Sequence, residues 1–230
     1  MIDALLSGDF VTALLCIPIV LLALSCHEFA HGYAAYKMGD STARNFGRLT
    51  LNPAKHLDLY GTLCMLLFGF GWAKPVPVNA RNFDKPRKGM AITAFAGPIS
   101  NLILSFIGLA LYNTLYVIVI LNVNRFLSST VFVTNLIQVI LQFFYLFHYL
   151  NLSLAIFNLI PVPPLDGSRI AFIFLPDRLY FKIMKYEQII QIIVMVSLFT
   201  GLLDAPLSFI VGSISGGMQY LIDLVIGLIL

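Results

Sequence analysis

Long apolar segments separated by short polar stretches dominate this chain. They cover residues 10–36, 90–121, 131–160, 187–203 and 206–230. An α-helix needs about 20 apolar residues, with a range of about 17–25, to cross a hydrocarbon core of about 30 Å, so all five segments are long enough to span a membrane. A helix also satisfies its own backbone hydrogen bonds inside lipid. The pattern therefore predicts an all-α polytopic membrane protein with five transmembrane helices, or six if residues 168–175 also enter the membrane.

A shorter apolar stretch, residues 57–72, lies between the first two long segments and cannot span a membrane as a helix. It is rich in glycine and runs into the alternating prolines and valines of residues 75–78, which favour extended structure. We predict a re-entrant loop on the cytoplasmic side, extended or folded as a β-hairpin; an amphipathic surface loop is the alternative. Its edge would admit a substrate and pair with it as an added strand. The candidate gating residues are Gly69, Gly71, Trp72 and Lys74.

Polar and small residues recur at helical spacing in the second and third predicted spans. In the second span, they suit close contact with a neighbouring helix; they are Ala94, Gly97, Asn101, Ser105 and Gly108. In the third span, polar residues share roughly one face, which we expect to turn toward the interior of the bundle; they are His148, Asn151 and Asn158.

Charge is scarce and lies almost entirely on one side of the predicted helices. Charged residues make up 11% of the chain, against roughly 25% in an average soluble domain. Of the fourteen Lys and Arg residues, only Arg125 falls in a predicted outside loop, and basic loops mark the cytoplasmic side. We therefore predict that the N-terminus is outside, that residues 39–88 and 168–185 are inside, and that His56 is a surface residue. No basic surface interleaved with aromatic residues suggests a nucleic-acid partner.

The first span carries the sequence His-Glu-Phe-Ala-His at residues 27–31. Residues four apart share one face of a helix, so His27 and His31 can present two imidazoles to one zinc ion. Glu28 lies one step round the helix and can accept a proton from the attacking water. Ionisable groups inside a membrane span are costly and rarely present without a function. The pattern predicts a zinc-dependent hydrolytic site.

A carboxylate follows the third span, where three prolines at positions 161, 163 and 164 rule out a continuous helix. An Asp-Gly pair such as Asp166-Gly167 is ordinarily a turn. Here Asp166 arrives at the same side of the membrane as the two histidines. We therefore predict that it is the third metal ligand.

Three stretches together resemble the site-2 protease family of intramembrane zinc metalloproteases. They are HEFAH at 27–31, AGPISN at 96–101 and NLIPVPPLDG at 158–167. The sequence GWAKPV at 71–76 also looks like the segment that follows the first motif in small bacterial members. The resemblance covers about residues 20–175, and this combination in this order is far more specific than the first motif alone.

The resemblance implies one zinc ion per chain, held by His27, His31 and Asp166, with Glu28 as the general base. It also implies that Asn101 and Asn158 lie near the site and bind the substrate or the oxyanion.

In domain organisation, the chain departs from better-known members of the family. It shows no span before the motif helix, and neither a PDZ nor a CBS domain. We expect a single domain over residues 1–230, with a catalytic core at about 10–175 and C-terminal helices at about 186–230.

Pattern and resemblance together predict an intramembrane zinc metalloprotease in the plasma membrane of a bacterium. It would hydrolyse a peptide bond in or near the transmembrane segment of a membrane-protein substrate, on the cytoplasmic side. A membrane-anchored zincin acting on soluble or misfolded chains is one alternative, but its motif should lie outside the lipid. A non-enzymatic metal carrier or scaffold is another; a carrier should show polar residues through the full membrane depth. The expected partners are the substrate and the lipid bilayer, and a regulatory membrane partner is left open.

Overall fold

A computed structural model describes residues 8–58, 60–62, 64, 71–124 and 130–227, and its regular structure in these ranges is helical. Four helices there are long and apolar enough to cross a membrane. They are α1 (Phe10–Lys37), α3 (Pro86–Leu121), α4 (Val131–Leu159) and α8 (Asp204–Gly227). The shorter helices are α2 (Thr42–Asn45), α5 (Asp166–Ala171), α6 (Asp177–Met184) and α7 (Glu187–Phe199). The prediction of an all-α protein with several long apolar helices is thus confirmed.

The described residues contain four candidate spans, against the five or six that were predicted. Helix α7, in the predicted fifth span, has 13 residues and is therefore only about 20 Å long at 1.5 Å per residue. The chain turns after it at Gly201, whose φ of 69° is favourable for glycine. Residues 168–175 do not form a sixth span, because α5 ends at Ala171 and gives way to a short 3-10 helix, Phe172–Phe174.

The predicted β-hairpin is absent from the described residues. These residues contain an isolated antiparallel bridge between Leu57 and Ala73. Next to it, the Lys74 N–H donates a hydrogen bond to the His56 carbonyl at 2.8 Å. Proline has no N–H to donate to a ladder, so Pro75 and Pro77 prevent regular pairing from continuing. Gly69, one of the predicted gating residues, lies outside the described residues.

His56 is buried, so its prediction as a surface residue is wrong. Only 2% of the residue is exposed, and its Nε2 lies 2.7 Å from the Thr50 carbonyl oxygen. The backbone carbonyl of His56 is also paired, with the Lys74 N–H. Charge pattern alone therefore misplaced this side chain.

Helix α3 is central and packs on α1 and α4, while α8 packs on α4 and α3. The small or polar face predicted for α3 is buried along its length, which confirms close helix contact. At Gly108, for example, an added Cβ would lie 2.8 Å from Cδ1 of Phe147 on α4. His148 and Asn151 are buried in the bundle, whereas Asn158, nearer the end of α4, is partly buried.

Candidate active site

Two histidines of α1 and an aspartate from a distant part of the chain converge at the buried face of this helix. The Nε2 atoms of His27 and His31 lie 3.1 and 3.2 Å from Oδ2 of Asp166. The two imidazole rings are 4.5 Å apart and almost perpendicular. Asp166 is the first residue of α5, so the break after α4 turns its carboxylate back toward α1. The structure thus brings together the two histidines and the aspartate that were predicted as ligands.

The opposite nitrogen of each imidazole is held by an oxygen that can only accept a hydrogen bond. His27 Nδ1 lies 2.6 Å from Oδ1 of Asn101, and His31 Nδ1 lies 2.7 Å from the carbonyl oxygen of Thr93. Each Nδ1 must therefore carry the proton, and in a neutral imidazole the Nε2 atom is then unprotonated. Two nitrogen lone pairs and a carboxylate consequently face one another. This arrangement is favourable when a cation lies between them.

Burial and contacts act in opposite directions on Asp166. Burial raises the pKa of its carboxyl, but hydrogen bonds from His27 and His31 lower that pKa by more when a proton, in place of a cation, lies between these groups, so the net pKa is then well below its usual range. The carboxyl is therefore ionised at neutral pH, as a metal ligand must be.

Two glycines allow the surrounding backbone to approach the convergent side chains. An added Cβ at Gly97 of α3 would lie 2.4 Å from Cε1 of His31 and 2.7 Å from Cε1 of His27. An added Cβ at Gly167 would lie 2.2 Å from the carbonyl oxygen of Leu159 at the end of α4. A larger residue would displace the two imidazoles at position 97 and the backbone at position 167.

The two asparagines predicted near the site lie in different environments. Asn101 is fully buried, and its Nδ2 donates to the Ala23 carbonyl at 3.1 Å and to Oδ1 of Asn151 at 2.9 Å. Asn158 donates from Nδ2 to the Leu154 carbonyl of its own helix at 3.0 Å. Of the two, Asn101 is the one that the structure brings into contact with a histidine of the cluster.

The segment after the apolar stretch crosses α1 beside Glu28. The Val76 N–H donates to Oε2 of Glu28 at 2.8 Å, and an added Cβ at Gly32 would lie 3.2 Å from Cγ1 of Val76. The absence of a side chain at Gly32 therefore lets the segment lie close to the helix. Among the predicted gating residues, Gly71, Trp72 and Lys74 precede this crossing and are exposed.

A buried carboxylate just after α1 holds the other end of this segment. Asp40 accepts hydrogen bonds from the Asn79 N–H and from Nδ2 of Asn82, each at 2.7 Å. Burial raises the pKa of Asp40, but these bonds and those from Thr42 outweigh it, so the net pKa lies below its usual range. The segment from Lys74 to Asn82 is thus held at Val76 by α1 and at Asn79 and Asn82 by Asp40, just after α1.

Comparison with known proteins identifies the family. Residues 15–203 match Peptidase family M50, and the matched range contains all three convergent side chains. This chain belongs to family M50. Its resemblance to the site-2 proteases is therefore confirmed, and the protein is a zinc metalloprotease of that family.

Several bacterial M50 proteins are similar to this chain. YwhC of Bacillus subtilis (strain 168), named as a candidate zinc metalloprotease, is 45% identical over 168 residues, 73% of this chain and 72% of YwhC. Rip2 of Mycolicibacterium smegmatis is 28% identical over 152 residues, 64% of this chain and 52% of its own length. Rip2 of Mycobacterium tuberculosis (strain H37Rv) is 27% identical over 155 residues, with the same coverage. No solved structure matches this chain significantly.

The convergent atoms fit the zinc ion that M50 enzymes use. Zinc bonds of about 2.0–2.2 Å in a tetrahedral site place neighbouring ligand atoms roughly 3.3–3.5 Å apart. The observed distances of 3.1 and 3.2 Å from Asp166 to the two histidines are close to that spacing. Ligand atoms of His27, Glu28 and His31 also lie within 4.8 Å of one another.

Some residues that contact the convergent side chains, or that hold the residues around them, were missed at the level of sequence. Thr93 contributes only a backbone carbonyl and Val76 only a backbone N–H, so neither residue type carries a signal. Asp40 stands alone in a polar loop and has no motif spacing. Asn151 did share a face with His148 and Asn158, but that pattern did not indicate its partner.

Proposed function

We propose that this M50 enzyme hydrolyses a peptide bond in or near the transmembrane segment of a membrane-protein substrate. The observation that carries the proposal is the burial of the His27, His31 and Asp166 cluster against α3, inside the set of candidate membrane spans. Lys37, at the end of α1, lies about 15 Å along the helix from His27. The positive-inside rule supports placing this end at the cytoplasmic face and the N-terminus outside.

His27, His31 and Asp166 would hold the zinc ion through Nε2, Nε2 and Oδ2. When bound there, zinc polarises the scissile carbonyl and acidifies a water molecule. Glu28 accepts the proton of the attacking water at Oε1, because its Oε2 is occupied by the Val76 N–H. The water oxygen bonds to the carbonyl carbon, the C–N bond breaks, and Glu28 returns the proton to the leaving nitrogen.

Asn101 and Asn158 take different parts in this proposal. Both hydrogens of the Asn101 amide are committed to Ala23 and Asn151, which supports a role in orienting His27 in place of binding the oxyanion. Asn158 is only partly buried and keeps its predicted role in binding the substrate. We also propose that residues 1–230 act as a single domain, which the packing of α8 on α4 and α3 supports.

Comparison of native cells carrying wild type or Glu28→Gln tests the function. Fragments of membrane proteins cut in or near a transmembrane segment, and found in the cytoplasm, should appear with wild type and be lost with the variant. If such fragments appear only outside the cell, the predicted orientation is wrong, but the proposed protease activity stands. Fragments of soluble chains alone would favour the membrane-anchored zincin.

The segment from Gly71 to Val78 is the proposed gate, and within it the Val76 N–H orients Glu28. Hydrogen bonds to charged groups contribute about 1.5–3 kcal/mol, so Val76→Pro should lower cleavage roughly 10- to 100-fold while zinc content stays unchanged. The measurement is cleavage of a transmembrane substrate by purified enzyme in vesicles, with zinc analysis in parallel.

Val78→Pro is the matched control, because it makes the same substitution two residues further along the gate. We expect near wild-type cleavage from it. Equal losses in both variants would instead support pairing of this edge with an extended substrate. Full activity of Val76→Pro would remove the orienting role.

A further inference from the structure

A second buried amide stands behind the one that holds His27. Asn151 of α4 is fully buried, and its Oδ1 accepts the hydrogen bond from Nδ2 of Asn101 at 2.9 Å. Its own Nδ2 donates to the Phe147 carbonyl of the same helix at 2.8 Å. Because a backbone carbonyl can only accept, this bond fixes which end of the Asn151 amide faces Asn101.

We propose that Asn151 is a positioning residue for the zinc site, which acts through Asn101 to fix the tautomer and orientation of His27. The inference rests on the proposed role of His27 as a zinc ligand. It makes a chain of three side chains from three helices: Asn151 on α4, Asn101 on α3 and His27 on α1.

The two histidines differ in the type of group that accepts the hydrogen bond from Nδ1. This difference explains why His27, unlike His31, requires a further residue such as Asn151. His31 is oriented by the carbonyl of Thr93, a backbone group that cannot reverse its polarity. His27 is oriented by a side-chain amide, whose two ends have nearly the same shape. If the Asn101 amide were reversed, its NH₂ would face Nδ1 of His27 and favour the tautomer with the proton on Nε2. That proton would occupy the position of the metal.

Two acceptors prevent this reversal. In the observed orientation, Nδ2 of Asn101 donates to the Ala23 carbonyl and to Oδ1 of Asn151. A reversed amide would place its oxygen against both of these oxygens and leave Oδ1 of Asn101 and Oδ1 of Asn151 without a donor. Unpaired polar groups are especially costly in an apolar interior. Without Asn151, only the longer contact with Ala23, 3.1 Å, would oppose the reversal.

Zinc affinity of Asn151→Leu tests the inference, because leucine has a similar size and no acceptor. Loss of a group that orients a metal ligand typically weakens metal binding about 10- to 100-fold, and we expect a decrease at the lower end of that range. The visible spectrum of the Co²⁺-substituted protein should change as well, since the orientation of His27 changes. Neither measurement requires a substrate.

Two further variants separate positioning from a general loss of stability. Asn113→Leu is the matched control: Asn113 is also buried, on α3, but its amide pairs with Gln219 at 2.8–2.9 Å. It should lower thermal stability without changing zinc affinity. Asn151→Asp should restore much of the affinity, because burial favours the protonated carboxyl. That group can accept from Asn101 and donate to Phe147.

A double-mutant cycle decides whether Asn151 acts through Asn101. In the Asn101→Leu background, Asn151→Leu should cause no further loss of zinc affinity. Additive losses, or wild-type affinity in Asn151→Leu alone, would overturn the inference. If Asn151→Leu does not fold, Asn151→Ala enters the same cycle. Failure of the wild-type protein to bind zinc would instead contradict the proposed site itself.

Discussion

Purified Glu28→Gln protein is expected to keep its zinc and to cleave roughly 10²- to 10⁴-fold more slowly, the usual contribution of general acid–base catalysis. Glutamine has nearly the same shape, and its carbonyl oxygen can still accept the Val76 N–H that Glu28 accepts at 2.8 Å. It cannot take a proton from water. Cleavage of a transmembrane substrate in vesicles and metal analysis of the same sample measure the two properties together.

Glu187→Gln provides the matched control, because it makes the same chemical change at the start of α7. It should retain wild-type cleavage and zinc. Unchanged cleavage by Glu28→Gln would remove Glu28 as the general base, whereas loss of zinc would make it a metal ligand. Either result would revise the division of roles within residues 27–31.

Replacement of Asp166 by alanine should abolish both tight zinc binding and cleavage, and so should His27→Ala. Each removes one of three donor atoms that face one another at 3.1 and 3.2 Å. We expect a loss of zinc affinity larger than the 10- to 100-fold typical for a residue that only orients a ligand. Equilibrium zinc binding by the purified variants measures it.

His148→Ala is the control for the loss of a buried histidine. His148 contacts Ser105 and Ser215 through its two ring nitrogens, both at 2.8 Å. It makes no bond to His27, His31 or Asp166 among the described residues. It should keep full zinc even if the variant is less stable. Full zinc in Asp166→Ala would exclude that residue from the ligand set.

Local properties of the chain were readable from the sequence. Hydrophobicity located α1, α3, α4 and α8, because a span must be long and apolar wherever it lies in the fold. The relation between His27 and His31 was also readable, since a spacing of four residues on a helix fixes a shared face. The combination of motifs indicated the M50 family for the same reason: each motif is a short continuous stretch.

The end of a helix was less predictable than its existence. The apolar pattern from 187 to 203 indicated a span, but α7 ends at Phe199 because the chain turns at Gly201. The proline-containing segment after residue 72 looked extended, yet its N–H groups bond separately to His56 and Glu28 and form no ladder. Hydropathy does not encode such partners.

The contacts that complete the candidate site depended on the tertiary structure. Asp166 lies 139 residues from His27 along the chain, and no periodicity measures a distance between separate helices. Spacing likewise could not show that Asn101 faces His27, that Thr93 supplies a carbonyl to His31, or that Asn151 stands behind Asn101. The sequence by itself determined the spans and the two-histidine face, because these depend on neighbours along one helix. The orientation of each imidazole depends on close packing of α1, α3 and α4, and only the tertiary structure decided it.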